Sequence, residues 1–217
     1  GSGTVFFSGC SLRCVFCQNY EISHLLEGEE TNAERLSAVF LAPPRMGSHN
    51  PNLVPPTHVT PQIVEALAIA AGRGLSVPVV YNCGGYESLE AIRILDHVVD
   101  IYMPDFKFAD PKTALLYAKA LDYPAAAKAA IREMHRQVGD LTLNESGIAL
   151  RGLLVRHLVL PDGLAGTREV VRFVAEEISK STYLNIMDQY HPCYNAFDHP
   201  PLDRRISATE YAEAIAL

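Results

Sequence analysis

No run of about 18 apolar residues, the length needed to cross a bilayer, occurs in the sequence. The amino end has no charged-then-apolar pattern of a secretory signal. There is no basic block either: 18 Lys and Arg stand against 25 Asp and Glu, a net charge of -7, which gives no surface for a polyanion. Neither membrane nor nucleic acid is therefore an expected partner, and the expected compartment is the cytoplasm. Cysteine is scarce, with five in the chain and three of them close together. That distribution suits metal ligands in a reducing compartment and not a disulfide framework. Cys83 and Cys193 read as free thiols. An initiator Met is also missing, since the chain starts at Gly1, so an upstream extension is expected to be absent from this sequence. What is there is ordinary for a globular protein: 217 residues, 48% hydrophobic and 20% charged, with no linker that would divide residues 1–217 into more than one domain.

The informative stretch is Gly9-Cys10-Ser11-Leu12-Arg13-Cys14-Val15-Phe16-Cys17, which sets a CxxxCxxC spacing. It supplies one thiolate too few for a closed four-ligand site. Structural zinc and electron-transfer iron-sulfur sites usually have four protein ligands, whereas a 4Fe-4S cluster held by three leaves one iron open to a small molecule. The triad follows Thr4-Val5-Phe6-Phe7-Ser8-Gly9, a strand-like apolar run ending in glycine, so the cysteines sit on a loop leaving a strand. Phe16, Gln18, Asn19 and Tyr20 give that loop an aromatic wall and polar groups. Two plainer readings compete: a redox CxxC at Cys14 and Cys17, and a zinc knuckle completed by a distant His or Cys. Neither accounts for the aromatic residue together with the first cysteine.

Beyond the loop, strand-like and helix-like segments alternate. Strands are expected at Val5–Ser8, Asn52–Val54, Val77–Asn82, Val99–Met103, Leu153–Leu160 and Tyr183–Met187. Helical patterns follow at about Asn32–Phe40, Thr60–Gly72, Ser88–His97, the Ala-rich Pro111–Val138, Thr167–Ser179 and from Ser207 onward. Thr60-Pro61 reads as an N-cap followed by a first-turn proline, and Ser207 with Glu210 as a capping box. Pro43-Pro44 is expected to end the first helix by Phe40 or Leu41. Six βα units with strands apolar on both faces predict an α/β fold with a parallel sheet covered by helices, either barrel or open wound sheet. In both, active groups gather at the carboxyl ends of the strands. Those ends hold Pro55-Pro56-Thr57-His58, Asn82-Cys83-Gly84-Gly85-Tyr86, Pro104-Asp105-Phe106-Lys107, Arg156 and His157, and Asp188-Gln189-Tyr190-His191.

The cysteine spacing with an aromatic residue before the third cysteine resembles the signature of the radical SAM superfamily. Val5–Cys10, Cys17–Ser23, Tyr102–Lys107, Arg156–Pro161 and Asn185–Tyr190 are similar to the branch related to the pyruvate formate-lyase activating enzyme. The resemblance implies a partial (β/α)6 barrel open on one side. It also implies a 4Fe-4S cluster on Cys10, Cys14 and Cys17 that cleaves S-adenosyl-L-methionine reductively to a 5'-deoxyadenosyl radical for hydrogen abstraction. A glycine of a partner protein is the implied hydrogen donor, and a flavodoxin or ferredoxin the implied electron donor. A small molecule or other peptide as substrate, and a non-catalytic iron-sulfur or zinc redox or sensor protein, are the alternatives. Candidate cofactor-binding residues are Phe16, Asn82, Asp105, Lys107, His157 and His191. Carboxylates suit the amino group and ribose of this cofactor, and cationic or amide groups its carboxylate. His58, His157 and His191 can equally be hydrogen-bonded structural residues. Gly84 and Gly85 would let the backbone approach the ligand. The branch usually carries Gly-Gly-Glu after the second strand, where this chain has Val54-Pro55-Pro56-Thr57-His58; a second, ferredoxin-type cysteine cluster is also absent.

Overall fold

The computed structural model describes residues 1–217. Six parallel strands form one continuous sheet: β1 (Ser2–Phe6), β2 (Asn50–Val54), β3 (Val80–Cys83), β4 (Ile101–Pro104), β6 (Ala149–Leu158) and β7 (Tyr183–Met187), each hydrogen-bonded to the next in that order. A seventh, two-residue strand, β5 (Thr142–Leu143), pairs antiparallel with the start of β6. β1 and β7 do not pair, so the curved sheet stays open between them. Every parallel step is made through a helical crossover, as parallel pairing requires.

The helices are α1 (Tyr20–Ser23), α2 (Ala33–Arg45), α3 (Thr60–Gly72), α4 (Leu89–Ile94), α5 (Pro111–Ala118), α6 (Tyr123–Val138), α7 (Thr167–Phe173) and α8 (Ala208–Ile215). Local chemistry explains most of their starts. The side chains of Asn32, Ser88, Asp110 and Ser207 each accept a backbone N–H in the first turn of α2, α4, α5 and α8, and Ser207 with Glu210 completes the capping box read from the sequence.

Several expectations change. α2 runs through Pro43 and Pro44 to Arg45 instead of ending near Phe40. Two prolines in the last turn forfeit two intrahelical donors, but they lay the Pro43 ring on β1, where a Cβ at Gly3 would stand 2.0 Å from the Pro43 Cβ. The Ala-rich segment is two helices, because Lys119 turns left-handed at φ 60 and Pro124 starts a new helix in its first turn. Thr60 is not an N-cap: it lies inside α3, where its buried hydroxyl is 3.3 Å from the Pro56 carbonyl, 3.1 Å from that of Thr57 and 3.1 Å from the Tyr81 hydroxyl. α7 passes into a π turn over Val174–Ile178, and β5 had no counterpart among the expected strands.

The apolar interior is divided. A core of 32 buried residues fills the space between β3, β4 and β6 and the helices α4 to α7, and extends into the cysteine loop through Leu12, Cys14, Val15 and Phe16. A separate core of nine joins α2 and α3 to β2 through Leu36, Phe40, Leu53, Ile63 and Leu67. Within α2 and α3 those residues recur at three- and four-residue spacing, one face of each helix.

Candidate active site

Side chains of a strand alternate between faces, and here one face of every parallel strand points into the open barrel. Thr4 and Phe6, Asn52 and Val54, Asn82, Asp105 beyond β4, Arg156 and Leu158, and Met187 line a cavity of about 390 Å³. The strand register puts them side by side: Thr4 faces Asn52, and Asp105 bridges to Arg156. Cys10, Cys14, Phe16 and Cys17 close the cavity at the carboxyl end of the strands.

The cysteine loop is fixed by packing and by backbone bonds. Arg13 N–H donates to the Ala118 carbonyl (3.0 Å) and Val15 N–H to that of Tyr117 (2.9 Å), pinning the loop to the end of α5. Leu12 and Phe16 are buried at 2% and 7% exposure, and burial of such side chains contributes roughly 1.5–3 kcal/mol each. Phe16 meets Phe108 and Tyr190 edge-on, with ring centres 6.0 and 5.8 Å away. The sulfurs have neighbours of their own: Leu12 N–H donates to Cys10 Sγ at 3.4 Å, and Cys17 Sγ lies 3.1 Å from Ser23 Oγ. Burial pushes the Cys14 thiol up to about 12, with the Lys107 charge opposing it, and raises Cys10 against the pull of the Leu12 N–H. No three His, Cys, Asp or Glu side chains converge on one ion position. Cys10, Cys14 and Cys17 line one cavity from the loop, and Cys83 lines it from the end of β3; thiolates are the donors that iron-sulfur clusters take.

Opposite the loop stands a charged network. Asp105 accepts from Arg156 Nε at 2.7 Å and from Lys107 Nζ at 2.5 Å, and Arg156 Nη2 also donates to Asn82 Oδ1 at 2.8 Å. Burial works against the Asp105 carboxylate, but the Lys107 and Arg156 charges overcome it and hold the carboxyl below its usual range. Burial likewise opposes the Lys107 ammonium, and Asp105 more than restores it. The backbone carrying these groups is tied by Tyr123, whose hydroxyl accepts from Lys107 N–H (2.7 Å) and lies 2.9 Å from the Gly84 carbonyl and 2.8 Å from that of Asp105. Behind β3, Glu87 is buried, accepting from Thr57 (2.6 Å) and Tyr81 (3.1 Å). Burial raises its carboxyl to about 7 despite those hydrogen bonds.

Of the residues expected from sequence, Cys10, Cys14, Cys17, Phe16, Asn82, Asp105 and Lys107 meet around this one cavity. His157 does not. It is fully buried, its Nδ1–H donating to the Phe106 carbonyl (2.6 Å) and its Nε2 accepting from Thr167 (3.0 Å), so one nitrogen ties β6 to the segment after β4 and the other ties it to α7. His191 stands at the rim, 3.4 Å from Gln18 Nε2, and does not line the cavity. The glycines after β3 serve the chain's own packing: at Gly85, with φ +78, a Cβ would lie 2.3 Å from the Asp105 carbonyl oxygen, and at Gly84 it would lie 3.0 Å from Leu12. Arg156 was visible in the sequence as a charge inside an apolar strand, but its role was not. Asn52 and Thr4 could have been found from strand alternation, whereas Glu87 and Tyr123 carry no sequence signal.

No protein-family model matches the chain. An uncharacterised protein of Methanocaldococcus jannaschii is 29% identical over 224 residues, an alignment that spans all of this chain and 61% of that protein. Three solved structures share the fold. They are HydG, described as a maturase of the [FeFe]-hydrogenase (TM-score 0.66, 14% identity, 99% of this chain and 48% of that one), and anSMEcpe with bound AdoMet (0.65, 10%, 99% and 58%). The third is the FeFe-hydrogenase maturase HydG from Carboxydothermus hydrogenoformans (0.60, 13%, 99% and 49%). The chain thus spans about half the length of these structures. The likeness establishes the architecture alone: an open parallel sheet with helices outside it is common to this chain and these three structures.

Proposed function

We propose that this chain is the cofactor-binding barrel of a radical SAM enzyme. Cys10, Cys14 and Cys17 hold a 4Fe-4S cluster, and the cavity between them and the Asp105 network takes S-adenosyl-L-methionine. The observation that carries this reading is the meeting of three thiols with an Asp-Lys-Arg-Asn network in one cavity. When bound, the cluster supplies one electron that cleaves the sulfonium to methionine and a 5'-deoxyadenosyl radical, the hydrogen abstractor.

The chain's own residues supply the rest. Lys107 spends one of its three donors on Asp105 and Asn82 accepts through Oδ1 alone, so ammonium and amide N–H groups remain to bind a carboxylate. Asp105, neutralised by two cations, fixes both of them in place. Phe16, Leu158 and Leu160 make the wall apolar and keep water from a reactive intermediate.

From the resemblance of its sequence stretches we further propose an activating enzyme that acts on a glycine of a partner protein, with the substrate entering through the gap between β1 and β7 and electrons coming from a flavodoxin or ferredoxin; a small-molecule or other peptide substrate is the alternative. The same reading places the protein in the cytoplasm, in keeping with five unpaired cysteines. No helix is long and apolar enough to cross a membrane. The test is anaerobic reconstitution with iron and sulfide, reduction, addition of S-adenosylmethionine and measurement of 5'-deoxyadenosine. Wild-type protein yields it and Cys14→Ala falls to background. A stable 4Fe-4S cluster with no cleavage would instead favour a redox or sensing role.

A further inference from the structure

His58, an exposed side chain on the turn after β2, has no part in the reaction described above. Its Nε2 lies 2.6 Å from the carbonyl oxygen of Ser8. A carbonyl only accepts, so Nε2 carries the proton and donates it. Ser8 and Gly9 are the last two of the three residues between β1 and Cys10. The last ladder bond between these strands is Phe7 N–H to the Val54 carbonyl, at 2.7 Å. Beyond it no strand partner reaches Ser8: the imidazole takes its carbonyl, and Gly9 N–H donates to the Ile22 carbonyl at 3.1 Å. Gly9 is shaped for this contact: it bends the chain at φ +96, and a Cβ there would stand 3.0 Å from His58 Nε2.

The turn presenting the imidazole is itself held. Thr57 Oγ1 donates to the buried Glu87 at 2.6 Å, and the Thr60 hydroxyl lies 3.1 Å from the Thr57 carbonyl. Pro55 and Pro56 fix their own φ angles, and Pro55 also lines the cavity. A rigid turn therefore grips the cysteine loop from outside the site.

We propose that His58 is a positioning residue that holds Ser8 and Gly9 so that Cys10 keeps its place beside Cys14 and Cys17. The proposal rests on the reading of those three cysteines as ligands of one iron-sulfur cluster. His58 does not line the cavity, so it acts through the backbone.

The test compares wild type, His58→Ala and His58→Gln, the last keeping a side-chain N–H donor. In the apoprotein, iodoacetamide labelling is followed by peptide mass spectrometry, with buried Cys14 and Cys83 reporting any general opening. Labelling of Cys10 relative to Cys83 rises about threefold or more in the Ala variant and returns toward wild type in the Gln variant, because reactivity follows access. In reconstituted, reduced protein, the electron paramagnetic resonance signal, recorded with and without S-adenosylmethionine, shifts in the Ala variant and recovers in the Gln variant. An unchanged Cys10 ratio, or equal rises at Cys10, Cys14 and Cys83, would overturn the proposal and leave His58 as ordinary support. Failure of the wild type to assemble a cluster would strike the cluster reading instead, while the labelling ratio still decides whether His58 clamps the loop.

Discussion

Single side chains in this protein do their work in pairs, and Glu87 is the clearest case. It sits behind the cavity with Thr57 and Tyr81 donating to it, yet burial holds its carboxyl near 7 in the folded chain against 4.5 for the ordinary group. A proton bound more tightly by the folded state stabilises it at low pH, and that stabilisation fades as pH rises from the unfolded value through the folded one. Wild-type apoprotein therefore loses stability between about pH 5 and about pH 8, by roughly 3 kcal/mol from this group. Glu87→Gln should match wild type near the acid end and exceed it at the alkaline end. Urea midpoints measured across the range check this, and a difference between the two proteins that does not vary with pH would sink it. The contrast with Asp105 is instructive, since that carboxylate is largely buried but has two cations to hold its charge.

At the scale of elements, the junction between α5 and α6 decides where the cysteine loop can lie, because Tyr117 and Ala118 lend it their carbonyls. The junction turns on Lys119, a non-glycine residue held left-handed at φ 60 with its N–H on the carbonyls of Ala114 and Leu115. Glycine adopts that conformation without the steric penalty. Lys119→Gly should raise stability by about 0.5–1 kcal/mol, read as a higher denaturation midpoint, with cysteine labelling unaltered. A loss of stability would show that the lysine side chain, not the backbone, matters there. The same junction marks the limit of what the sequence disclosed. Strand positions, their parallel sense and the cysteine loop were legible because β-rich apolar runs and ligand spacing are local signals, whereas the order of strands in the sheet was implied by the family resemblance alone; Tyr183–Met187 and Thr60–Gly72 came out with the expected bounds. The break at Lys119 was masked by alanine propensity, and the passage of α2 through Pro43 and Pro44 was masked by a rule that ignores Gly3 beneath them. In the site, residues that touch the cavity from strand ends were legible. Those acting across the fold, such as Tyr123 fixing both the β3 and β4 ends and His157 bracing α7, depend on contacts 10 to 39 residues distant in the chain.

For the molecule as a whole, the division of the interior into a core of 32 residues and a core of nine has a consequence for motion. The smaller core holds α2 and α3 against β1 and β2, the strands that supply Thr4, Phe6, Asn52 and Val54 to the cavity wall. β1 is also an edge strand with only β2 beside it. Less buried apolar surface means a lower free energy of local opening. Native-state amide exchange should therefore show α2, α3 and β1 releasing protection as one unit before β3, β4, β6 and α6, and simultaneous exchange throughout would contradict this. The protein then behaves as a jaw with one stiff side and one yielding side. The stiff side keeps Cys14 and the charged network in register, while the yielding side carries the wall formed by Thr4, Phe6, Asn52 and Val54, so the first opening is expected to widen the cavity there.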